Sequence, residues 1–159
     1  MDIFDENILS FWKNLNNNSV RYIMIGGFAV NLHGFNRTTA DIDIWLEDNA
    51  TNRLAFGKVM YEYGYEDIDW ITVDIIPGWT NFYIGNNIYI DVILEMKGLN
   101  EYSFSDCLNM ASIAKIFDIY VPFLHINQLI KNKKETNRPK DKIDIIELEN
   151  IKRIRTEEN

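Results

Sequence analysis

The sequence predicts an α/β fold of the α+β type, in which a small sheet is flanked by helices. Three observations support this prediction. Residues 3–15 place apolar side chains at helical spacing. Residues 20–25 form a short apolar run rich in β-branched side chains, and two glycines follow it. Residues 40–46 alternate between polar and apolar side chains, as in a strand with one buried face.

Between residues 47 and 100 the pattern predicts one helix and one β-hairpin. The helix covers about 51–63 and closes at Gly64, whereas residues 65–80 have an ambiguous pattern with extended character. Strands follow at 81–84 and 88–94, and a short polar turn joins them. This part of the chain therefore adds a hairpin to the two earlier strands.

The C-terminal third is predicted to hold three helices and one strand. The first helix lies near 104–111 and is capped by Ser103 or Ser105. A strand runs from Ile116 to Val121, where Pro122 ends it. Helices follow at 125–134 and at 139–154, the latter starting with Pro139. We expect a single domain over residues 1–159, with a core at about 20–95 and the C-terminal strand and helices at about 103–155.

The composition narrows the possible functions. The chain has 159 residues, 47% of them apolar, and a single cysteine, Cys107, which excludes an internal disulfide. No apolar run approaches the about 20 residues of a membrane span, and the N-terminal residues lack a signal-peptide pattern. We therefore expect a cytoplasmic protein.

The charge of the chain is unevenly distributed. The net charge of −8 disfavours binding to long nucleic acid, but residues 1–130 carry −10 and residues 131–159 carry +2. Two interpretations of the basic C-terminal segment stay open. It is either a solvated helix face, or a basic rim that offsets an acidic site and holds a polyphosphate.

The chemistry begins with a glycine pair and two carboxylates. Gly26 and Gly27 lie between the first strand and a helical segment, so backbone N–H groups and a positive helix end are available to a phosphate. Asp41 and Asp43 then share one face of the second strand. Two such charges about 4 Å apart repel by roughly 4 kcal/mol at an effective dielectric constant near 20. Either solvent screens them or a divalent cation such as Mg²⁺ lies between them.

A third carboxylate, Asp91, is the one charge inside a later apolar strand, where it is costly unless it is satisfied. If that strand lies beside Asp41 and Asp43, three carboxylates converge at the mouth of one sheet. Two bound Mg²⁺ ions then explain the arrangement best, since such ions stabilise the attacking and leaving oxygens of an in-line displacement at phosphorus.

Taken together, these motifs resemble the nucleotidyltransferase superfamily of DNA polymerase β. The likeness is nearest to small bacterial proteins of the abortive-infection and toxin–antitoxin type, and it is carried by residues 26–34, residues 37–43, Asp91 and the late run Arg138-Pro139-Lys140-Asp141. The resemblance implies a nucleotidyltransferase fold with a small mixed sheet flanked by helices and C-terminal helices. It also implies Mg²⁺ and a nucleoside triphosphate donor, ATP among the candidates.

The resemblance further implies residue roles. Gly26 and Gly27 contact the triphosphate, Asp41 and Asp43 bind both metal ions, and Asp91 binds the catalytic metal and helps to deprotonate an acceptor hydroxyl. Superfamily members often have serine at the position of Gly27, which here offers only its backbone. Further candidates for nucleotide binding are the cations Arg37, Lys131, Arg138 and Lys140.

Each assignment has a structural alternative. For the glycine pair the alternative is an ordinary turn between a strand and a helix, and for Asp41 and Asp43 it is an exposed strand edge. Asp91 could instead form a salt bridge with a basic residue such as Arg37. Arg37 itself either binds the γ-phosphate or neutralises the carboxylates. The candidate lysines and Arg138 are equally consistent with solvated surface. Other residues are expected to be structural or exposed. His33 is expected to cap or pack a short helix, and Asp67 and Asp69 to face solvent. The aromatic residues of this region are expected to build the core and the sheet face rather than to stack on a nucleotide base: Trp70, Trp79, Phe82 and Tyr83.

Two functional hypotheses follow. The first is an Mg²⁺-dependent enzyme that moves a nucleotide to a hydroxyl of an RNA end, a protein or a small molecule, within a toxin–antitoxin or phage-defence system. The second is a non-catalytic nucleotide-binding or interaction module of the same fold. In either case an antitoxin-like protein partner or a homodimer would supply further surface.

Overall fold

The computed structural model describes residues 2–158, which form a mixed sheet flanked by helices on both faces. The fold class predicted from the sequence is confirmed. In chain order the elements are α1 Glu6–Asn17, β1 Tyr22–Ile25, α2 Gly26–His33, β2 Ile42–Leu46, α3 Ala50–Tyr61, β3 Asn81–Gly85, β4 Ile88–Ile93, α4 Phe104–Met110, β5 Ser112–Ile116, β6 Ile119–Phe123, α5 Ile126–Thr136 and α6 Pro139–Glu157.

The strands form one sheet in the order β3-β4-β2-β1-β6-β5. β2 pairs with β4 and β1 with β6 in parallel, whereas β1–β2, β3–β4 and β5–β6 are antiparallel. β1 and β2 therefore lie at the centre, where the chain passes from β1 through α2 into β2. This central crossing places the glycine pair and the first two carboxylates at neighbouring positions.

The core lies mainly between the sheet and the two helices α1 and α3. The apolar positions of α1 are buried at its helical spacing (Ile8, Phe11, Trp12 and Leu15). From α3, Phe56 packs edge-to-face against Phe82 of β3 and against Trp70. Burial of these aromatic side chains stabilises one face of the sheet by several kcal/mol, at about 25 cal/mol per Å² of apolar surface. The opposite face of the outer strands stays open.

Most predicted elements are confirmed to within a few residues. Ser103 caps α4: its Oγ accepts the N–H of Asp106 at 3.0 Å, and Oδ2 of Asp106 accepts the N–H of Ser103 at 2.9 Å. Pro139 occupies the first turn of α6. Residues 65–80, whose pattern was ambiguous, form turns and irregular chain rather than a strand.

The strand predicted from Ile116 to Val121 is wrong. The chain turns at Phe117, whose φ is +56°, so that Ile116 ends β5 and Ile119 begins β6 as its antiparallel partner. Pro122 does not end β6 but lies within it, opposite Ile113. Proline is tolerated in a strand where no ladder bond requires its missing N–H. The next paired donor, the N–H of Leu124, reaches O of Met24 at 2.9 Å.

Among residues 2–158, no helix combines the length and the apolar character that crossing a membrane would demand.

Candidate active site

The strand register places Asp43 directly beside Asp91. β2 and β4 run in parallel with Asp43 opposite Asp91, and β1 flanks β2 on its other side with Ile25 opposite Asp43. Register partners on neighbouring strands project from the same face of a sheet. The two carboxylates therefore share the face opposite Ile42 and Ile44, which are buried. The condition that the strand of Asp91 lies beside that of Asp43 is therefore met.

The third predicted carboxylate, Asp41, precedes β2 and is exposed. Its charge still acts on the other two, because it raises the pKa of both Asp43 and Asp91. Within residues 2–158, no three acidic, histidine or cysteine side chains form a complete set of metal ligands. The protein itself therefore offers a pair of carboxylates with a third charge nearby. Mg²⁺ is commonly held by one or two carboxylates and completes its shell with water and substrate phosphates, so this pair fits it.

The electrostatics of Asp43 are those of a carboxylate without a close counter-charge. Burial, followed by the charges of Asp91 and Asp41, raises the pKa of Asp43 to about 7, against a smaller lowering by the charges of Lys140 and Arg138. Burial, followed by the charge of Asp41, also raises the pKa of Asp91. A bound divalent cation would favour the ionised form of both groups and remove the repulsion between them.

The glycine pair lies against this carboxylate cluster. Gly26 begins α2 with φ of +67°, and a Cβ at this position would overlap Oδ2 of Asp43. A Cβ at Gly27 would lie 2.5 Å from Oγ1 of Thr39. Ile25, which precedes the helix, has no polar side chain to cap the first N–H groups of α2. A helix N-terminus whose first N–H groups lack a side-chain cap, beside two carboxylates, suits a phosphate that a metal ion would join to them.

The loop between α2 and β2 is fixed by a reciprocal pair of hydrogen bonds. Oδ1 of Asn31 accepts the N–H of Arg37 at 3.0 Å, and Nδ2 of Asn31 donates to O of Arg37 at 2.9 Å. The side chain of Arg37 then reaches Asp144 of α6, with Nε–Oδ1 and Nη2–Oδ2 distances of 2.8 and 3.0 Å. Arg37 therefore pairs with Asp144 rather than with Asp91, the partner considered from the sequence.

Asp144 belongs to a buried ionic network that the sequence analysis did not anticipate. Nζ of Lys133 lies 2.8 Å from Oδ2 of Asp144 and 3.3 Å from Oδ1 of Asp141. Arg138 adds an Nε–Oδ2 distance of 2.8 Å to Asp141. Lys133, Asp141 and Asp144 are at most 2% exposed. This network joins α5, α6 and the loop that follows α2.

Hydrogen bonds control the ionisation of Asp141. Burial alone would raise its pKa, but hydrogen bonds from Arg138 and Thr136, with the charge of Lys133, hold the pKa well below its usual range. The same pairing raises the pKa of Arg138. The sequence held a signal for this network, because aspartates three residues apart on a predicted helix share one face of it. In the structure that face is buried.

The other cations predicted to bind nucleotide differ in whether they lie near Asp43. Arg138 and Lys140 lie close enough to Asp43 to lower its pKa, whereas Lys131 forms an ion pair with Glu101 and lies 5.5 Å from the ring centroid of Tyr102. The nucleotide-binding roles of these cations stay predictions. Other basic residues of the C-terminal segment also pair with glutamates, as in Lys134–Glu149 and Arg153–Glu157.

Of the residues expected to be structural, His33 is buried, and its Nε2 lies 2.8 Å from O of Leu124. Burial lowers the pKa of His33. Trp70 and Phe82 lie in the core, but Trp79 is 85% exposed. Tyr83 is half-exposed on the sheet face, and Asp67 and Asp69 are exposed as predicted.

Comparison with solved structures identifies the fold. TM1012 of Thermotoga maritima, which is classed as a nucleotidyltransferase, is 14% identical with a TM-score of 0.58, and 90% of each chain is covered. The lincosamide antibiotic adenylyltransferase LnuA, solved with lincomycin, is 15% identical with a TM-score of 0.56, covering 95% of this chain and 99% of LnuA. ANT(2″)-Ia, solved with adenylyl-2″-tobramycin, is 16% identical with a TM-score of 0.52, covering 94% of this chain and 92% of ANT(2″)-Ia. No family model and no curated protein sequence matches the chain. The chain thus has the nucleotidyltransferase fold.

Proposed function

We propose that this protein is an Mg²⁺-dependent nucleotidyltransferase that moves a nucleotide from a nucleoside triphosphate to a hydroxyl of an acceptor. The observation that carries the proposal is the close grouping of Asp43, Asp91 and Gly26. Carboxylates at this helix N-terminus are mutually repelling unless a cation joins them, and a phosphate at the same place needs such a cation. The shared fold with nucleotidyltransferases supports the same conclusion.

In this proposal each group of residues has a distinct task. The backbone of Gly26 and Gly27 binds the triphosphate, and Lys140 and Arg138 offset its charge from the side of α6. Asp43 and Asp91 would hold the metal and the negative charge of Asp41 would strengthen its attraction, and the metal when bound would stabilise the charge that develops on the transferred phosphate. Asp91 would also accept the proton of the acceptor hydroxyl, because a bound cation keeps this carboxylate ionised and therefore available as a base.

Arg37 and the buried network take a positioning role. The two-point contact with Asp144 holds Arg37, and thereby the loop that leads into Asp41 and Asp43, against α6. Because Asn31 also holds the backbone of Arg37, this contact would fix the course of the loop that leads into Asp41 and Asp43. A role in toxin–antitoxin or phage defence, with a protein partner, extends the proposal and rests on the motif resemblance alone.

The proposal is tested by thermal unfolding with each of the four nucleoside triphosphates, with and without Mg²⁺. At a ligand concentration 100 times the dissociation constant, we expect about 2.7 kcal/mol of stabilisation that requires Mg²⁺. Asp43→Asn should abolish the shift. Asp67→Asn is the matched control, because Asp67 belongs to a second Asp-Ile-Asp run that is exposed and remote in sequence from the glycine pair.

The same samples separate the enzyme from the non-catalytic module. Release of pyrophosphate in the presence of an acceptor extract, lost in Asp91→Asn, supports transfer. A Mg²⁺-dependent nucleotide shift without any pyrophosphate release supports the binding module instead. The absence of a shift with every triphosphate would contradict both.

A further inference from the structure

The outer strand β5 leaves one edge of the sheet unpaired. Pairs along two antiparallel strands alternate between hydrogen-bonded and non-hydrogen-bonded positions. Pro122 has no N–H and lies opposite Ile113, so this pair is of the non-hydrogen-bonded kind. Lys115 and Tyr120, two positions along, form the next such pair, and O of Tyr120 accepts a hydrogen bond from Asn16 at 2.8 Å instead. The N–H and C=O groups of Ile113 and Lys115 therefore point out of the sheet edge, and no partner among residues 2–158 reaches them.

The other outer strand, β3, is covered where β5 is not. The N–H of Tyr83 donates to Oη of Tyr65 at 2.7 Å, and the ring of Tyr65 packs on Phe82. An uncovered edge strand is a template for pairing with a further strand, and a lysine on it commonly prevents this pairing. The ammonium group of Lys115, however, lies 5.8 Å from the ring centroid of Tyr120. It is held over β6 and leaves the edge of β5 accessible.

Exposed apolar side chains surround this edge. Ile113 is 57% exposed, and Phe117 in the hairpin turn is 68% exposed. Tyr120 of β6 and Met110, which precedes β5, are also exposed. Phe4 is exposed as well and contacts Phe117 edge-to-face, with ring centroids 5.8 Å apart. Such a concentration of exposed apolar side chains at one edge is typical of an interaction site.

The charge of the hairpin favours a second copy of this chain as the partner. The chain carries −8, but residues 110–123 contain one lysine and one aspartate and are therefore neutral. Two copies can meet through this segment without strong repulsion, whereas a nucleic acid would find no basic surface there. The free groups are backbone N–H and C=O, so the element that matches them is an extended strand.

The sequence of β5 allows one self-pairing that uses both outward residues. With Ala114 opposite Ala114 of the second copy, Ile113 of each copy lies opposite Lys115 of the other, and each of these pairs exchanges its backbone hydrogen bonds. A register centred on Lys115 would place two ammonium groups side by side. A register centred on Ile113 would set Lys115 against Ala111, whose N–H already donates to O of Leu108.

We propose that β5 pairs antiparallel with β5 of a second copy, centred on Ala114, and that this pairing joins the two six-stranded sheets into one. The two-fold axis is then perpendicular to the sheet, so both candidate active sites lie on the same face of the joined sheet. The pairing does not depend on the proposed nucleotidyl transfer.

Sedimentation equilibrium of the full chain measures the pairing, and we expect the wild type to form a dimer. Lys115→Pro removes an outward N–H from each strand but no bond within the hairpin, as Pro122 does in β6. The dissociation constant should rise at least about tenfold in this variant. Lys115→Ala is the matched control, because it removes the charge but keeps the N–H, and it should stay dimeric.

A second pair of variants tests the register by charge and does not rely on a folded proline variant. Because Ile113 is exposed, Ile113→Lys and Ile113→Glu should both fold. In the proposed register the first substitution sets a cation against Lys115 of the other copy and should weaken the dimer about tenfold. The second sets an anion there and should keep the dimer or strengthen it.

Cross-linking tests the same register. Ala114→Cys should form a disulfide between copies under mild oxidation, since Cα atoms about 4.5 Å apart are within the range of such a bond. The wild type should not cross-link, because Cys107 is buried. Asn81→Cys, exposed on the outer strand β3, is the matched control and should not cross-link either.

Two outcomes would overturn the pairing. One is a chain that sediments as a monomer up to millimolar concentration. The other is a dimer that Lys115→Pro and Ile113→Lys leave intact and that Ala114→Cys does not cross-link, because its interface would then lie elsewhere. Stabilisation by a triphosphate with Mg²⁺ is expected in both cases, so failure of the pairing is distinguishable from failure of the proposed function.

Discussion

The molecule contains two pairs of aspartates in opposite electrostatic surroundings. Asp141 and Asp144 of α6 are buried, and each lies within 3.3 Å of Lys133 and also contacts an arginine. Asp43 and Asp91 lie side by side on the sheet, and no cation among residues 2–158 reaches salt-bridge distance from either. The first pair is neutralised by the protein itself, and the second is not.

This contrast separates a structural ionic cluster from a candidate ligand site. A buried charge destabilises a fold unless a partner neutralises it. Asp141 and Asp144, the α6 pair, follow this rule, as the lowered pKa of Asp141 shows. In the pair formed by Asp43 and Asp91, the sheet pair, burial and like charges raise the pKa of Asp43 to about 7. Side chains kept in such an unfavourable arrangement are typical of functional sites, where an external ligand completes the charge balance.

The largest expected effect comes from removing one member of the neutralised pair. Asp144→Ala leaves Lys133 and Arg37 without their shared carboxylate in a buried position. Breaking a buried ion pair by removing one partner costs about 3–5 kcal/mol. We expect the free energy of unfolding, measured with urea, to fall by this amount.

The control for this variant is an exposed ion pair that also joins α5 to α6. Glu149→Ala removes the partner of Lys134, and both side chains of that pair are about half-exposed. Exposed pairs contribute at most about 1 kcal/mol. Equal losses in the two variants would contradict the distinction between a buried network and surface charge.

The sheet pair was predictable from the sequence because its signals are local. The alternation at 40–46 places Asp41 and Asp43 on one face, and a single charge in the apolar run 88–94 identifies Asp91. The glycine pair is a similarly local signal for a turn with an open backbone. The pairing of β2 with β4 is not local, and the sequence supplied it only as a condition for three converging carboxylates.

The contact between Arg37 and Asp144 was not predictable in this way, although Lys133 and Arg138 are near the two aspartates of α6 in sequence. Arg37 and Asp144 are separated by 107 positions, and only the packing of α2 against α6 brings them together. The β5–β6 hairpin was missed for another reason. A proline within a strand and a phenylalanine with positive φ at the turn both depart from common turn chemistry.

A smaller effect is expected from glycine substitutions that probe the contact between α2 and Asp43. Gly26 and Gly64 both have positive φ, but a Cβ at Gly26 would overlap Asp43, whereas a Cβ at Gly64 would meet nothing within 4 Å. Each alanine variant carries about 1–2 kcal/mol of left-handed backbone strain. Gly26→Ala should in addition displace the carboxylate and remove Mg²⁺-dependent nucleotide binding.

This pair of variants separates backbone strain from damage to the site. Calorimetric titration with each triphosphate and Mg²⁺ should give wild-type affinity for Gly64→Ala and no binding for Gly26→Ala. Unchanged affinity in Gly26→Ala would place the phosphate elsewhere than at the start of α2.

The last expected effect is a pH dependence that belongs to the sheet pair. The pKa of Asp43 is raised from an unfolded value near 4 to about 7, so over this range the folded state keeps a proton that the unfolded chain has lost. Without Mg²⁺, the contribution of Asp43 to stability should therefore decline as pH rises through this window and level off above it. Asparagine cannot ionise, so Asp43→Asn should gain stability relative to wild type from about pH 4 to about pH 7.

Urea unfolding of both proteins with a chelator present, at pH values from about 4 to 8, measures this difference. Asp67→Asn, in which an exposed aspartate is replaced, should track the wild-type profile throughout. Added Mg²⁺ should reverse the sign above pH 7, because the ion binds the ionised wild-type pair and loses a ligand in the variant. Parallel profiles for Asp43→Asn and wild type would show instead that Asp43 is already neutralised within the fold, as Asp144 is, and would remove the electrostatic reason for placing a metal ion between the strands.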